Sequence, residues 1–213
     1  DFKETNVIGT AIYCCSESKF MGDIVFADII KQDSKDALKA LKKLGIAKTV
    51  MMTGDKEEIA KDIASKAGID TVYSRLMPDE KANIVSELQK SGNTVVYTGD
   101  GINDAPVLSQ ADVGVAMGGA GSDIAVEASD MVIMGDSLSK LAIGKKVAKK
   151  TIRIVHENII FAIAVKLLII IGCAIGIFDE NAMWLAVFGD VGVCLIAIAN
   201  SLRALRVGKI KNK

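Results

Sequence analysis

The sequence predicts an α/β domain with a parallel sheet, followed by a two-helix transmembrane hairpin. Three observations carry this expectation. Between Asp23 and Gly135, short apolar and β-branched runs alternate with amphipathic runs of helical length, the pattern of βαβ units around a sheet covered on both faces. Two later runs, 158–178 and 182–199, are almost wholly apolar and about twenty residues long, enough to cross a bilayer. The formal net charge of zero hides a split, with 14 Lys and Arg against 22 Asp and Glu up to Ser137, and 12 against 4 from Leu138 onward. A basic half beside apolar runs points to a membrane. It argues against nucleic acid, because the basic residues flank apolar helices and lack interleaved aromatics. Half of the residues are apolar and mean hydropathy is +0.34, high for a purely soluble chain.

The chain opens on Asp1 with no Met and no signal-peptide pattern, so it reads as a piece of a longer polypeptide. Residues 1–22 read as short strands with polar turns, "VIGTAIYCC" then "ESKFMG". "DIVFADI" suits a strand. "SKDALKALKKLG" suits a helix, with Ser34 as N-cap, Ala37, Leu38, Leu41 and Leu44 on one face, and Gly45 as its stop. "KTVMMT" is a strand and "DKEEIAKDIASKAG" a helix closed by Gly68. "TVYSRL" is strand-like, and "PDEKANIVSELQKSG" is a helix with Pro78 at its start and Gly92 at its end. "NTVVYT", "ADVGVAM" and "DMVIMG" complete the strands, the last two separated by a short helix near "SDIAVEA".

The first apolar run follows "KKVAKK" and Arg153. The second precedes Arg203, Arg206, Lys209 and Lys211, and the short loop between the runs is acidic. The positive-inside rule places both ends of such a hairpin in the cytosol. A buried helical pair in a soluble protein is the competing reading, and both lengths favour the membrane. Cys14, Cys15, Cys173 and Cys194 form neither a C-x-x-C nor a disulfide-like framework. Reduced thiols and small apolar fillers are expected. His156, the lone histidine, is expected at the membrane interface.

Ligands in open α/β sheets bind beyond the carboxyl ends of the strands. Three loops fall there: "MMTGD" with Thr53 and Gly54, "MPDEK" with Lys81 in the first turn of a helix, and "YTGDGIND" with Asp100 and Asp104. A hydroxyl and glycine N–H groups can hold anionic oxygens. A lysine neutralises them as a point cation. Two carboxylates can hold Mg²⁺, which takes oxygen ligands and neutralises charge in phosphoryl transfer. Taken singly, T-G-D is also a common turn at a helix start, and Lys81 an ordinary solvated lysine. "TGDGINDAP" has too many special residues for a chance turn.

"TGDGINDAPVL", with "MMTGD" and "MPDEK" upstream and a terminal helical hairpin, closely resembles the P-type cation-pumping ATPases, whose phosphorylation domain has the haloacid-dehalogenase-like fold. The match runs from about Gly22 to the end. The resemblance implies that Thr53, Gly54 and Asp55 cradle the phosphoryl group and that Lys81 contacts it. It also implies that Asp100 and Asp104 carry Mg²⁺, with Asn103 orienting the site. ATP is the implied co-substrate. In the family the aspartyl nucleophile lies in D-K-T-G-T, a string this chain does not contain; "GDKEE" at 54–58 lacks the Thr-Gly-Thr. The implied organisation is 1–22 as the end of a nucleotide-binding domain holding little of the ATP site, and 23–137 as an incomplete phosphorylation domain. A linking helix, 138–157, precedes the transmembrane hairpin and basic tail, 158–213. The chain alone is expected not to form a phosphoenzyme.

Each apolar run holds one charge, Lys166 and Asp190. Ionisable residues in a bilayer are costly and by default functional. Each lies about 12 Å into its run, one from the cytosolic end and one from the outer end. In a core of about 30 Å their depths differ by roughly 6 Å, within reach of a lysine. A buried structural ion pair is one reading. In the other, Asp190 is an oxygen ligand for a transported divalent cation and Lys166 a built-in counter-cation. "NIIFAIAVKLL" and "WLAVFGDVGVCLIAIANSLRALR" resemble the last two helices of the zinc/cadmium/lead branch of heavy-metal pumps, whose metal site includes such a Lys and Asp. The resemblance implies a multi-pass exporter of Zn²⁺, Cd²⁺ or Pb²⁺ in a bacterial plasma membrane, its soluble domain and C-terminus cytosolic. The lipid bilayer and the N-terminal part of the pump are its implied partners. Copper pumps use thiols and thioethers, and a carboxylate suits a harder ion than Cu(I). Two alternatives stay open: a membrane-tethered, catalytically dead phosphatase-like module, and a pump for another cation such as potassium or copper.

Overall fold

The computed structural model describes residues 10–16, 19–26, 29–31, 33–99, 101–118, 123–135, 137–177 and 182–207. The chain divides into two compact units, 1–142 and 143–213.

The first unit begins with an antiparallel pair, β1 (Thr10–Ser16) and β2 (Lys19–Phe26), in register from Thr10 opposite Phe26 to Ser16 opposite Lys19. Lys19–Gly22 and Asp23–Phe26, the described parts of two runs expected as separate strands, thus form one strand through the boundary placed at 22/23. The ladder along β1, with one irregularity between Cys14 and Cys15, holds it together. The expected alternation of helices and strands follows as α1 (Ser34–Lys43), β3 (Val50–Met52), α2 (Glu57–Ala67), β4 (Thr71–Tyr73), α3 (Pro78–Lys90) and β5 (Val96–Gly99). Then come a 3-10 turn (Ile102–Asp104), α4 (Ala105–Gln110), β6 (Val113–Met117), α5 (Asp123–Glu127) and β7 (Met131–Ile133). β3 pairs with β4, and β5–β6–β7 form a second sheet; every one of these pairings is parallel.

The core lies where helices cover these strands. Val85 of α3, Val107 and Leu108 of α4, and Val115 of β6 have no exposed surface, and burying such side chains stabilises by about 1.5–3 kcal/mol each. Two hydrogen bonds from side-chain amides tie α3 to α4: Gln89 Nε2 donates to Gln110 O at 3.1 Å, and Gln110 Nε2 to Ala82 O at 3.2 Å. Asp33, not Ser34, occupies the N-cap position of α1. Its carboxylate is engaged elsewhere, accepting the Ser137 hydroxyl at 2.5 Å. Gly68 ends α2 with φ +80°, and its N–H donates to Ala64 O at 2.8 Å. That left-handed conformation favours glycine.

Asp70 binds the ends of three elements together. Its Oδ1 accepts Lys42 Nζ at 2.6 Å, and its Oδ2 accepts the Thr49 N–H at 2.8 Å and the Thr49 hydroxyl at 2.7 Å. The Lys42 ammonium first, then the two Thr49 donors, hold the Asp70 carboxyl well below its ordinary range. A depressed carboxylate contributes stability above its unfolded pKa and loses it as pH falls through the folded value. Asp70→Asn is therefore expected to lower the unfolding midpoint at neutral pH. It should also flatten the further fall below about pH 4, where ordinary aspartates begin to protonate; thermal unfolding in detergent across that range measures both.

From Ser139 the chain is one helix, α6 (Ser139–Ala174), of 36 residues. The linking helix and first apolar run expected as two segments are thus continuous. At 1.5 Å per residue α6 is about 54 Å long, more than the roughly 30 Å of a hydrocarbon core. The second run comprises α7 (Ala182–Val187), a π-turn (Phe188–Gly192), α8 (Val193–Ser201) and 3-10 turns (Leu202–Val207). Both segments are long and apolar enough to cross a membrane. Their outward apolar side chains are bare, with Leu168 at 68 % and Trp184 at 71 % exposure. The acidic loop between the runs lies outside the described residues. In the second unit a polar clasp joins the basic ends: Asn200 Nδ2 donates to Asn158 Oδ1 at 2.8 Å, and Arg203 Nη1 to Glu157 Oε2 at 2.8 Å.

Candidate functional site

Asp104 ends the 3-10 turn that follows β5, and Lys81 stands in the first turn of α3. The two meet: Lys81 Nζ donates to Asp104 Oδ1 at 2.9 Å, with the side chains only 18 % and 13 % exposed. The Tyr97 hydroxyl donates to the same oxygen at 2.7 Å. The motifs single out Lys81 and Asp104 but not Tyr97. Strand alternation carries the signal for it, because Tyr97 and Gly99 are two apart on β5 and share a face. Gly99 matters by lacking a side chain. A Cβ there would lie 2.7 Å from Asp104 Cβ and 2.8 Å from its Oδ2. Glycine thus lets the carboxylate fold back over the end of its own strand.

Thr53 follows β3 directly. Its N–H donates to Tyr73 O at 3.0 Å, and its carbonyl accepts the Leu76 N–H at 3.0 Å. The second bond fixes the segment that leads into α3, so the T-G-D loop and the helix bearing Lys81 share one anchor. Thr53 Oγ1 donates to Asp55 Oδ2 at 2.6 Å and accepts the Asp55 N–H at 3.1 Å, closing a small turn. Gly54 packs beneath Leu76 O, 3.5 Å from where a Cβ would sit. Glu80 reaches back to the Met77 N–H at 2.7 Å, securing the start of α3. Lys81 and Asp104 are therefore joined directly, and Thr53, Gly54 and Asp55 form a turn of their own, tied to the segment ahead of α3 through the Thr53 carbonyl. Asn103 is exposed in the 3-10 turn that Asp104 ends. Asp100 lies outside the described residues.

A second polar site lies in the hairpin unit. Lys166 Nζ is 2.8 Å from Asp190 Oδ1, the pairing expected from their depths. Among the described residues no three His, Cys, Asp or Glu side chains cluster as a metal site. Cys194 is a free thiol four positions past Asp190. His156 is exposed on α6, its Nδ1 2.8 Å from Ile152 O.

Parallel strands covered by helices, with acidic, glycine-containing and lysine-bearing loops at their carboxyl ends, make the first unit an α/β domain of the kind that binds ligands beyond its strand ends. A haloacid dehalogenase-like hydrolase family model matches residues 4–112, and the chain belongs to that family. Within it, the particular kin are metal pumps. The chain is 45 % identical over 208 residues to the cadmium, zinc and cobalt-transporting ATPase of Bacillus subtilis, covering 96 % of this chain and 29 % of that protein. It is 44 % identical over 205 residues to the zinc-transporting ATPase of Synechocystis, covering 95 % of this chain and 28 % of that one. A crystal structure of a zinc-transporting PIB-type ATPase in its E2·Pi state superposes with a TM-score of 0.82 at 31 % identity, over 93 % of this chain and 32 % of the other. The resemblance to the heavy-metal branch of P-type ATPases is borne out across both units. The chain spans under a third of the length of these relatives.

Proposed function

We propose that this chain supplies the magnesium–phosphate loops and the last two membrane helices of an ATP-driven exporter of Zn²⁺, Cd²⁺ or Pb²⁺. The observation that carries the reading is a Lys81–Asp104 pair at the strand ends in the same chain as a Lys166–Asp190 pair on an apolar hairpin. Lys81 neutralises phosphoryl oxygens, and the Thr53–Gly54–Asp55 turn offers its hydroxyl and N–H groups to them. Asp104, with Asp100, holds Mg²⁺, while Asn103 orients the loop. The donor set fits that ion. One Asp104 oxygen is committed to Lys81 and Tyr97. The other lies over the Gly99 backbone and is a hard oxygen donor of the kind Mg²⁺ takes. When bound, Mg²⁺ neutralises charge developing on the transferred phosphoryl group.

The phosphorylated aspartate and most of the ATP site come from residues outside this chain. Among the described residues β5 pairs only with β6, and β3 only with β4. Parallel strands are ordinarily buried on both faces and within the sheet. A further parallel strand between β3 and β5 would place its carboxyl end beside Thr53 and Asp104. The hairpin crosses the plasma membrane with the first unit and the C-terminus in the cytosol, a reading supported by its basic flanks. Radiolabelled ATP is expected to leave no acid-stable label on these 213 residues. It is expected to label a longer protein that carries D-K-T-G-T ahead of them. Label on the shorter chain would refute the division of labour.

A further inference from the structure

The wide turn around Asp190 has a cause in helix packing. Between Thr151 and Ile171 of α6, the side chains withdrawn from the surface are those of Ile154, Asn158, Ala162, Val165 and Ile169, a seam continued by Gly172. Steps of four and three residues keep that seam on one side of an α-helix. On the returning segment the withdrawn residues are Leu185, Gly189, Val193, Ala197, Asn200 and Ala204, with Gly192 beside Val193. This seam takes three successive steps of four before its step of three. On a regular α-helix each step of four drifts by about 40°, so three would carry the seam about 120° around the axis. The π-turn Phe188–Gly192 lies on the middle step, and a turn closed by i→i+5 bonds houses the residue too many. Val193 N–H donates to Phe188 O and Asp190 O, passing over Gly189.

Two glycines shape this turn. A Cβ at Gly189 would meet Ile169 Cδ1 at 2.8 Å, and one at Gly192 would meet the Phe188 ring at 2.6 Å. The first brings the turn close against α6; the second lets Phe188 fold over its own turn. Three residues, instead of the two that an alternating seam would leave at this step, then stand between Gly189 and Val193, and Asp190 is the first of them. Lys166 likewise follows the seam residue Val165 by one position.

We propose that the extra residue is a positioning device: the wide turn, permitted by Gly189 and Gly192, swings Asp190 out of the seam to face Lys166. Val191, Gly189 and Gly192 are positioning residues of the cation site and touch no ion themselves. The inference rests on the reading of Asp190 as a cation ligand, and its test separates the two.

Deleting Val191 turns the seam steps into a regular alternation of four and three. Packing is kept and the wide turn is lost. In the 213-residue chain in nanodiscs, with the native cysteines replaced by alanine, cysteines are placed at 166 and 190, or at 158 and 200. A short bis-methanethiosulfonate linker then reports facing. The deletion is expected to slow linking at 166/190 by at least about tenfold, given the roughly 100° of helix rotation per residue, and to leave 158/200 unchanged. Equal linking at both pairs would overturn the proposal. Loss at both would also overturn it, because the deletion should perfect the seam. In the full-length protein the same deletion is expected to raise the Zn²⁺ concentration for half-maximal ATPase on the order of tenfold, with a smaller change in kcat. If linking at 166/190 is lost while zinc dependence stays put, the turn positions Asp190 and the cation reading of Asp190 fails.

Discussion

Asp104→Asn, made in the full-length protein, is expected to reduce phosphoenzyme formation from ATP by on the order of 10²-fold or more. The substitution keeps the shape of the side chain. It removes the negative charge that Lys81 and Tyr97 converge on, and the charge available to a metal on the second oxygen. Removing one partner of a well-buried ion pair commonly costs about 3–5 kcal/mol, because the other is left uncompensated. The slight exposure of this pair and the remaining Tyr97 bond place the loss toward or below the lower end. A fold defect and a chemical defect can be told apart. Lys81→Met leaves Asp104 charged and bonded to Tyr97, and it removes only the cation aimed at phosphate. If the pair acts chemically, both variants lose the label at temperatures where both are still folded. If the pair only staples α3 to the loop after β5, both lose thermal stability, and the label falls only in proportion to the unfolded fraction. The second outcome would remove Asp104 and Lys81 from the phosphoryl site.

What could be read in the residue order follows from the range of the forces involved. Helices α1, α2 and α3 are written locally, in the spacing of Ala37 and Leu41, in Gly68, and in Pro78 with Glu80 behind Met77. The Lys166–Asp190 contact was also legible, since helix rise converts residue count directly into depth. Three features depend on partners distant in sequence and were not. β2 is continuous because β1 pairs with it along its whole length. Asp33 sits at the N-cap of α1 without a side-chain capping bond, because Ser137 and Ser139, more than a hundred positions away, take its carboxylate. The π-turn emerges only when the seam of the second apolar run is laid against the regular seam of α6. Tyr97 and Gly99 fall between these cases: alternation puts them on one face, but their role needs the 3-10 turn that folds Asp104 back over the strand.

Asp190→Ala is expected to abolish zinc-stimulated ATPase activity in the full-length protein, a fall on the order of 10²-fold. Two causes predict the same loss and part company on a second substitution. An ionised side chain at the centre of a membrane helix costs about 2.5–3.5 kcal/mol on insertion scales, so removing Asp190 leaves Lys166 with that penalty and no partner. If the pair is only a structural ion bridge, replacing both residues with alanine removes both penalties. The double variant should then recover much of the activity that either single variant loses, a coupling of the kind double-mutant cycles measure. If Asp190 binds the cation, the double variant stays inactive, because restored packing supplies no oxygen ligand. Lys166→Met gives the opposite signature. The carboxylate loses its built-in competitor at 2.8 Å, so zinc binds more tightly and leaves more slowly. Both the half-saturating zinc concentration and kcat should fall, as when an interaction favouring release is lost. Recovery in the double variant, or a Lys166→Met enzyme needing more zinc instead of less, would make the pair a structural bridge and place the transported ion elsewhere.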